Sequence, residues 1–227
     1  MGASRGTTVR LPRAQRRQLI VRAAAAVFLA GGYDKSSMED VARAASVTRL
    51  IVYRIFESKE ALYTAVLTSV LDDITTGFDH GGEGEAFAHR AEIAAILLGV
   101  ARRQPDGFRL LWRHASNQGE FVDLIELFKS GATDYAIRLL APVIPDPVIH
   151  RWAAESVVSH LFESVCLWLD NGDQTSDEVF VRMLMDGVRA MVQVWVMNAI
   201  DAGTARITED ATSTPGPPSN TTKTRRT

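Results

Sequence analysis

The sequence has few of the residues on which disulfide bonding and metal binding depend. Its 227 residues include one cysteine, Cys166, so no disulfide can form within the chain. The five histidines are never three or four positions apart, so no helical turn offers a pair of histidine ligands. The sequence therefore gives no sign of an oxidising compartment, and we expect neither a metal nor a cofactor.

Long apolar runs and catalytic motifs are also missing. No stretch of about 18 apolar residues occurs, which predicts no membrane span. No apolar segment of signal-peptide type follows the first arginines. The G-x-S-x-G, H-E-x-x-H, phosphate-loop and Cys-x-x-Cys patterns are absent. We therefore expect a cytoplasmic protein that has no membrane partner and is not an enzyme.

What the chain does contain is helix-forming sequence with an uneven charge. Apolar residues make up 46% of it, and they recur at helical rather than alternating spacing, which predicts an all-α fold. The first 60 residues hold 11 Lys and Arg against 5 Asp and Glu, a net charge of +6. The other residues hold 14 against 22, a net charge of −8. The basic N-terminal end is therefore the part suited to a polyanion.

Residues 36–59 form the most informative stretch, with the pattern of two short helices and a tight break. Ser36 can cap the first helix, and Glu39 three positions later would complete a capping box. The apolar phase changes between Ala44 and Val47, although this segment contains neither glycine nor proline. Thr48 is a competent cap for a second helix.

The second helix has two different sides at about 100° per residue. One side is apolar and comprises Ile51, Val52, Ile55 and Phe56. The other carries Arg49, Leu50, Tyr53 and Arg54. A packed back with hydrogen-bond donors in front is what a helix needs to lie in a DNA major groove, although a simple amphipathic surface helix has the same pattern.

Lys59 opens the next helical run, where its positive charge opposes the helix macrodipole. A phosphate at that helix end would explain the lysine, because both the ammonium and the free backbone amides favour an anion. A solvated lysine beside Glu60 is the alternative.

The stretch SVTRLIVYRIFESKEALYTAVL, preceded by Met38-Glu39-Asp40-Val41-Ala42, resembles the DNA-binding domain of the tetracycline-repressor (TetR) family of bacterial regulators. The resemblance runs from about Arg13 to Leu67, and Leu50 stands where the family usually has a small residue. It implies an N-terminal three-helix helix-turn-helix domain followed by a helical domain for ligand binding and dimerisation. The implied function is transcription regulation by a dimeric repressor that binds a double-stranded DNA operator and is released by a small molecule.

This interpretation divides the chain into four parts and assigns the DNA contacts. We expect a disordered arm at 1–12, the helix-turn-helix domain at 13–57, the regulatory domain at 58–200 and a disordered tail at 201–227. The predicted base-reading residues are Thr48, Arg49, Leu50 and Arg54. The predicted phosphate-positioning residues are Ser36, Ser37, Tyr53 and Lys59.

The resemblance also locates an effector pocket, because the aromatic residues of the middle helices lie where related proteins wall their ligand. The predicted pocket residues are Phe108, Trp112, Phe128, Tyr135 and His160. An apolar or aromatic effector would suit them. The alternative is that an aromatic stripe at helical spacing is simply core.

The last two long helices carry apolar stripes that predict a homodimer interface. The predicted interface residues are Leu161, Val165, Trp168, Leu184, Val188, Met191 and Trp195. Two-fold packing would bury both stripes in a four-helix contact, although both could instead face the core of one chain. Two other functions stay open at this point: a DNA-binding regulator without a ligand, and a helical carrier with an incidental helix-turn-helix.

Overall fold

A computed structural model describes residues 12–80, 88–114 and 121–212, and every regular element in these segments is helical. The all-α prediction is therefore confirmed. The α-helices in chain order are α1 (Arg13–Gly31), α2 (Met38–Ala44), α3 (Arg49–Ile55), α4 (Lys59–His80), α5 (Ala88–Arg103), α6 (Pro105–Arg109), α7 (Val122–Leu140), α8 (Pro147–Asn171) and α9 (Asp177–Thr212). The predicted arm, apart from Pro12, lies outside the described residues, as does 213–227 of the predicted tail.

The N-terminal bundle of α1, α2 and α3 has the predicted helix order. Helical spacing predicts a helix from Arg13 to about Gly31 whose buried stripe is Leu19, Ile20, Ala23, Val27 and Phe28. The bounds of α1 agree, but its buried face is rotated: Val21 and Ala25 are buried, whereas Leu19 is 41% exposed. The sequence does not define which side of α1 is buried, because the four alanines at positions 23–26 occupy several sides of the helix. Ile20 and Phe28 pack with Val41 and Val52 to form the core of the bundle.

The cap of α2 lies one residue later than predicted. The Ser37 hydroxyl accepts from the Asp40 amide at 3.2 Å, and the Asp40 carboxylate accepts from the Ser37 amide at 3.0 Å. The Ser36 hydroxyl instead donates to the Gly32 carbonyl at 2.6 Å, which closes the α1–α2 loop. With Ser36 used in the loop, the capping box is Ser37–Asp40 rather than Ser36–Glu39.

The break between α2 and α3 is a turn that needs no glycine. Ser46 has φ 53°, in the left-handed region, and its amide donates to the Arg43 carbonyl. The Val47 amide donates to the Ala42 carbonyl at 3.0 Å. These two bonds form a Schellman ending, which normally takes glycine at the left-handed position.

Two helices run further than their apolar spacing predicts, which is from Ser58 to about Thr76 for the first and from about Ser176 to Asn198 for the second. α4 continues to His80 instead of ending near Thr76, because Gly77 allows contact with α5: an added Cβ there would lie 2.5 Å from Ile96. α9 continues to Thr212 instead of ending near Asn198. Beyond Asn198 its sequence has one glycine, Gly203, and no proline before Pro215, so the first part of the predicted tail can propagate the helix.

The regulatory part packs α7 along α8, with α5 against both α8 and α9. After α6 the chain forms a π-helical segment, Leu110–His114, where the sequence predicted a continuous α-helix. Arg113 of this segment is bonded to Glu163 at 2.6 Å and to Asp170 at 2.8 Å on α8. These ion pairs fix the segment between α6 and α8.

Candidate nucleic-acid interface and apolar cavity

The outward side of α3 forms a mixed polar and apolar surface at one end of the molecule. Val52 and Phe56 are buried, whereas Arg49 and Arg54 are exposed, Leu50 is 60% exposed and Tyr53 is 41% exposed. The predicted separation of the two sides of α3 is therefore confirmed.

Arg49 and Tyr53 form a pair on this surface. The Arg49 guanidinium donates to the Tyr53 hydroxyl at 3.5 Å and lies 5.2 Å from the centroid of its ring. The hydrogen bond to Tyr53 raises the pKa of Arg49 above its usual value. Tyr53 thereby orients an exposed arginine in the first turn of α3, the part of a recognition helix that reaches base edges.

The residues around α3 differ in what they offer a ligand. Thr48 precedes α3 and is exposed, and its side chain makes no capping bond. Ser37 is exposed, but its hydroxyl belongs to the capping box. Ser36 is 7% exposed and bonded to the Val27 and Gly32 carbonyls. Its predicted phosphate contact is wrong, because the side chain faces the loop core.

Lys59 has internal partners that the sequence did not reveal. Its ammonium donates to the carbonyl oxygens of Tyr33 at 2.9 Å and Ser36 at 3.3 Å. The same ammonium lies 4.2 Å from the centroid of the Tyr33 ring. Lys59 thus connects the start of α4 to the α1–α2 loop, and its phosphate contact stays a prediction.

Four aromatic side chains, which we name the aromatic joint, connect the N-terminal bundle to α7: Phe28, Tyr33, Tyr63 and Phe121. Phe121 directly precedes α7 and is 3% exposed. Its ring centroid lies 4.5 Å from that of Tyr63 and 5.2 Å from that of Tyr33. Burial raises the pKa of Tyr63 to about 12. The sequence had placed Phe121 on a long helix without predicting this contact.

The predicted effector residues do not come together as one pocket. Phe108, Trp112 and Phe128 pack around Phe162, with ring centroids 5.6, 4.8 and 5.4 Å from it. Tyr135 instead contacts Phe78 at 6.0 Å, and His160 is exposed on α8. Phe162, which the sequence analysis did not single out, is the centre of this cluster. The alternative interpretation, in which the aromatic residues belong to the core, fits the three residues whose rings surround Phe162.

An apolar cavity lies elsewhere, among α5, α7, α8 and α9. Its volume is about 520 Å³. Lining residues include Ile93 of α5, Leu139 and Leu140 of α7, Leu161 of α8, and Val188 and Val192 of α9. Its size and composition suit a small molecule, since ligand sites typically measure about 300–1,000 Å³ and are largely apolar.

Most of the predicted dimer residues are buried within the single chain. Leu161, Val165, Leu184 and Val188 are at most 8% exposed and belong to its core. Trp168 stacks on Phe180 with ring centroids 4.7 Å apart and donates to Asp177 at 2.7 Å. Met191 and Trp195 are partly buried, and the Trp195 ring centroid lies 4.7 Å from that of Trp152. The predicted interface is wrong for the buried four, because their side chains pack in the core of the single chain.

A different side of α9 is apolar and exposed. We name it the α9 stripe, and it comprises Val179, Met183, Gly187, Ala190, Val194 and Met197. At 100° per residue these positions lie within about 80° of one another. Trp152 and Leu167 of the neighbouring α8 are 52% and 51% exposed. Both sides of α9 are therefore apolar, and only one of them is covered by the part of the chain that the structure describes.

Other chemistry is sparse in the part of the chain that the structure describes. No group of three or more His, Cys, Asp or Glu side chains is placed to hold a metal ion there. Burial raises the pKa of the Cys166 thiol to about 11, which leaves it a poor nucleophile at neutral pH. No helix among the described residues is long and apolar enough to cross a membrane.

Sequence comparison places the N-terminal bundle among known regulators. The family described as "Bacterial regulatory proteins, tetR family" matches residues 20–66. The HTH-type transcriptional activator FasR of Mycolicibacterium smegmatis is 40% identical over 68 residues, which are 30% of this chain. The match spans 31% of FasR. The family match covers the helix-turn-helix and only the first part of α4.

Structural comparison extends over most of the chain. A TetR-like transcriptional regulator from Rhodococcus sp. RHA1 superimposes with a TM-score of 0.62 at 19% identity, covering 78% of this chain and 94% of the other. AibR, solved in complex with isovaleryl coenzyme A and operator DNA, has a TM-score of 0.57 at 18% identity. That match covers 75% of this chain and 96% of AibR. At these identities the comparison shows the fold.

Proposed function

We propose that this chain is a regulator of the TetR family, that it binds operator DNA in a sequence-specific way and that it regulates transcription. The observation that carries the proposal is the α3 surface, with its exposed arginines, tyrosine and leucine on a buried apolar back. The proposal gives the chain a binding role without catalysis. Because the proposed partner is bacterial DNA, we propose that the protein acts in the cytoplasm.

We assign base reading to Thr48, Arg49, Leu50 and Arg54, which occupy the cap and the outward side of α3. Arginine can make two hydrogen bonds to guanine, and leucine can contact a thymine methyl group. Tyr53, Ser37 and Lys59 are assigned to phosphate positioning, with Lys59 also holding the α1–α2 loop. The net charge of +6 on the first 60 residues supports DNA at this end.

We propose that the chain works as a homodimer whose contact surface is the α9 stripe together with Trp152 and Leu167. Gly187 supports this choice, because glycine inside a helix costs about 1 kcal/mol relative to alanine and an added Cβ there would meet nothing within this chain. A second helix approaching closely would use that space. A two-fold dimer would give two reading helices for a two-fold operator.

A small-molecule effector is assigned to the apolar cavity. α7 lines the cavity with Leu139 and Leu140 near its end and begins next to Phe121 in the aromatic joint. A ligand that favours one position of α7 would therefore act on the bundle through Phe121 and shift the population of DNA-binding states. The cavity favours this function over a regulator without a ligand.

The proposed direction of regulation is repression relieved by the effector. A dimer seated on an operator blocks transcription without any further contact, whereas activation needs a surface for the transcription machinery. The relative FasR is named an activator. Repression and activation by this chain are therefore distinguished by a separate experiment. Transcription in vitro from a promoter that carries the selected operator should fall when the protein is added, and a rise would reverse the direction.

The test of DNA binding is selection from random double-stranded oligonucleotides followed by mobility shift with the selected sequence. A two-fold sequence bound at least about 1,000-fold more tightly than random DNA is expected, in the range typical of specific regulators. Selection without enrichment, with equal binding to all sequences, would contradict the proposed function and favour a helical carrier. A direct repeat in place of a two-fold site would contradict the symmetric dimer.

A further inference from the structure

The lining of the apolar cavity is aliphatic. Of its fourteen lining residues, twelve are apolar and none carries an aromatic ring. Leucine, valine and methionine dominate, and these side chains make many small dispersion contacts with a flexible hydrocarbon. A flat aromatic ligand would find no ring to stack on among these residues.

The two polar lining residues stand together on α9. Arg189 and Gln193 are one helical turn apart and both are exposed, whereas Val188 and Leu161 are 8% and 7% exposed. The polar pair therefore lies at the solvent-exposed rim of the cavity, to which Val143 and Met197, 44% and 65% exposed, also belong. The lining contains no Asp or Glu, so no carboxylate in it would repel an anion.

Arg189 has donors available for a ligand. One of its terminal nitrogens donates to Asp186 at 2.9 Å, across an ion pair whose side chains are 51% and 59% exposed. A guanidinium has five N–H donors, so an anion can bind Arg189 while Asp186 keeps its contact. The amide nitrogen of Gln193 can add a donor on the same side of α9.

We infer that the cavity binds an unbranched aliphatic carboxylate, with its chain inside and its carboxylate at Arg189 and Gln193. This inference rests on the proposed function for its regulatory meaning, and it narrows the apolar or aromatic effector expected from the sequence to an aliphatic acid. An arginine fork matches a carboxylate in a bidentate geometry. The chain end would lie against α7, whose Leu139 and Leu140 line the cavity.

The experiment is calorimetric titration of the full chain, without DNA, with decanoate, decan-1-ol and benzoate, all below micelle formation. Decanoate should bind in the micromolar range, decan-1-ol at least about tenfold more weakly, and benzoate not measurably. Arg189→Gln should weaken decanoate about tenfold and leave decan-1-ol unchanged. Arg182→Gln, an exposed arginine of α9 outside the lining, is the matched control and should change neither.

The cavity itself is tested by Val192→Phe, which places a ring inside it and should weaken decanoate and decan-1-ol alike. Val192→Ala, which enlarges the cavity, keeps the test informative if the larger side chain prevents folding, and it should favour longer carboxylates. No binding of decanoate, benzoate binding as tight as decanoate, or equal effects of Arg189→Gln on acid and alcohol would overturn the inference. If the protein binds DNA sequence-specifically but does not bind decanoate, the proposed ligand class alone is wrong. If it binds decanoate but shows no sequence-specific DNA binding, the proposed regulatory function is wrong.

Discussion

Single side chains at the DNA-facing end are of two kinds, those that hold α3 in place and those that project from it. Arg49 is of the second kind: it is exposed and its contact is with Tyr53 of the same helix. Arg49→Ala should therefore leave the fold intact and cost about 1–3 kcal/mol at the selected operator, with relaxed preference at one position per half-site. Affinity measurement and repeated site selection check this.

Arg22→Ala, an exposed arginine of α1, is the control for the lost positive charge. A preferred sequence in Arg49→Ala identical to that of the unmodified protein would show that Arg49 does not read bases. Specificity would then come from Thr48, Leu50, Arg54 or DNA shape.

Lys59 is expected to act in two ways that separate by experiment. Lys59→Ala removes hydrogen bonds to two carbonyl oxygens, so the free energy of unfolding should fall by about 1–3 kcal/mol. If Lys59 also meets a phosphate, the variant should lose affinity for specific and random DNA alike, and the salt slope should drop by about one ion per contact. A lower free energy of unfolding together with an unchanged salt slope of DNA binding would show that Lys59 contacts the loop carbonyls and no phosphate.

Residue-scale predictions succeeded where a periodic pattern decides the outcome. The side chains of α3 alternate between core and surface with the helical period, so their exposure could be read from the sequence. Ser36 and Ser37 are adjacent and chemically alike, so spacing could not show which one closes the loop and which one caps α2. The partners of Lys59 are 26 and 23 positions away in sequence, a separation at which local pattern carries no information.

At the scale of helices, the junction of α5, α8 and α9 depends on one carboxylate. Asp177 accepts two bonds from Arg102, at 2.6 and 3.0 Å, and one from Trp168. The bond from Arg102 lowers the pKa of Asp177. Its stabilising contribution is therefore complete above the unfolded pKa near 3.8 and is lost as the pH falls through the lower folded pKa. Asp177→Asn should reduce the free energy of unfolding at neutral pH by about 1–3 kcal/mol.

The difference between Asp177→Asn and the unmodified protein should shrink as the pH is lowered below about 3.8, measured by urea unfolding. Glu155→Gln is the matched control, because its partner Arg151 forms an exposed pair with side chains 70% and 53% exposed. Such pairs contribute roughly 1 kcal/mol or less. A difference for Asp177→Asn that stays constant from neutral to acidic pH would argue against the ionised carboxylate as the stabilising group.

Helix ends were predictable where strong signals mark them and were missed where they do not. Gly31-Gly32 ends α1 and Pro147 starts α8, as the residue types indicate. The turn at Ser46 lacks the glycine that usually marks it. α9 has two apolar sides. Its apolar spacing therefore predicts a helix but does not indicate which side packs against the rest of the chain.

For the whole molecule, the proposed dimer through the α9 stripe predicts the state of assembly. Met183→Glu and Val194→Glu should each convert the dimer toward monomer in sedimentation at micromolar concentration, because a two-fold contact places the two new carboxylates close together at a cost of several kcal/mol. Both positions are exposed in the single chain, at 68% and 55%, so its folding should be unaffected. Leu127→Glu, at a 73% exposed position of α7, is the control and should remain dimeric. A monomeric unmodified protein, or dimers in all variants, would contradict this interface.

We propose that the aromatic joint couples the cavity to the DNA-reading surface. Phe121 and the cavity residue Leu139 lie at opposite ends of α7, roughly 27 Å apart at 1.5 Å per residue. Phe121→Leu keeps an apolar side chain but removes the ring contacts with Tyr33 and Tyr63. With a ligand found by thermal-shift screening, the variant should keep its affinities for ligand and operator to within a few-fold. The ratio of operator affinities with and without ligand should fall toward one, because that ratio measures the coupling free energy between the two sites.

Phe128→Leu is the matched control: it also removes a ring contact of α7, but with Phe162 rather than with the N-terminal bundle. An unchanged ratio in Phe121→Leu, or an equal loss in both variants, would show that α7 does not act through this joint.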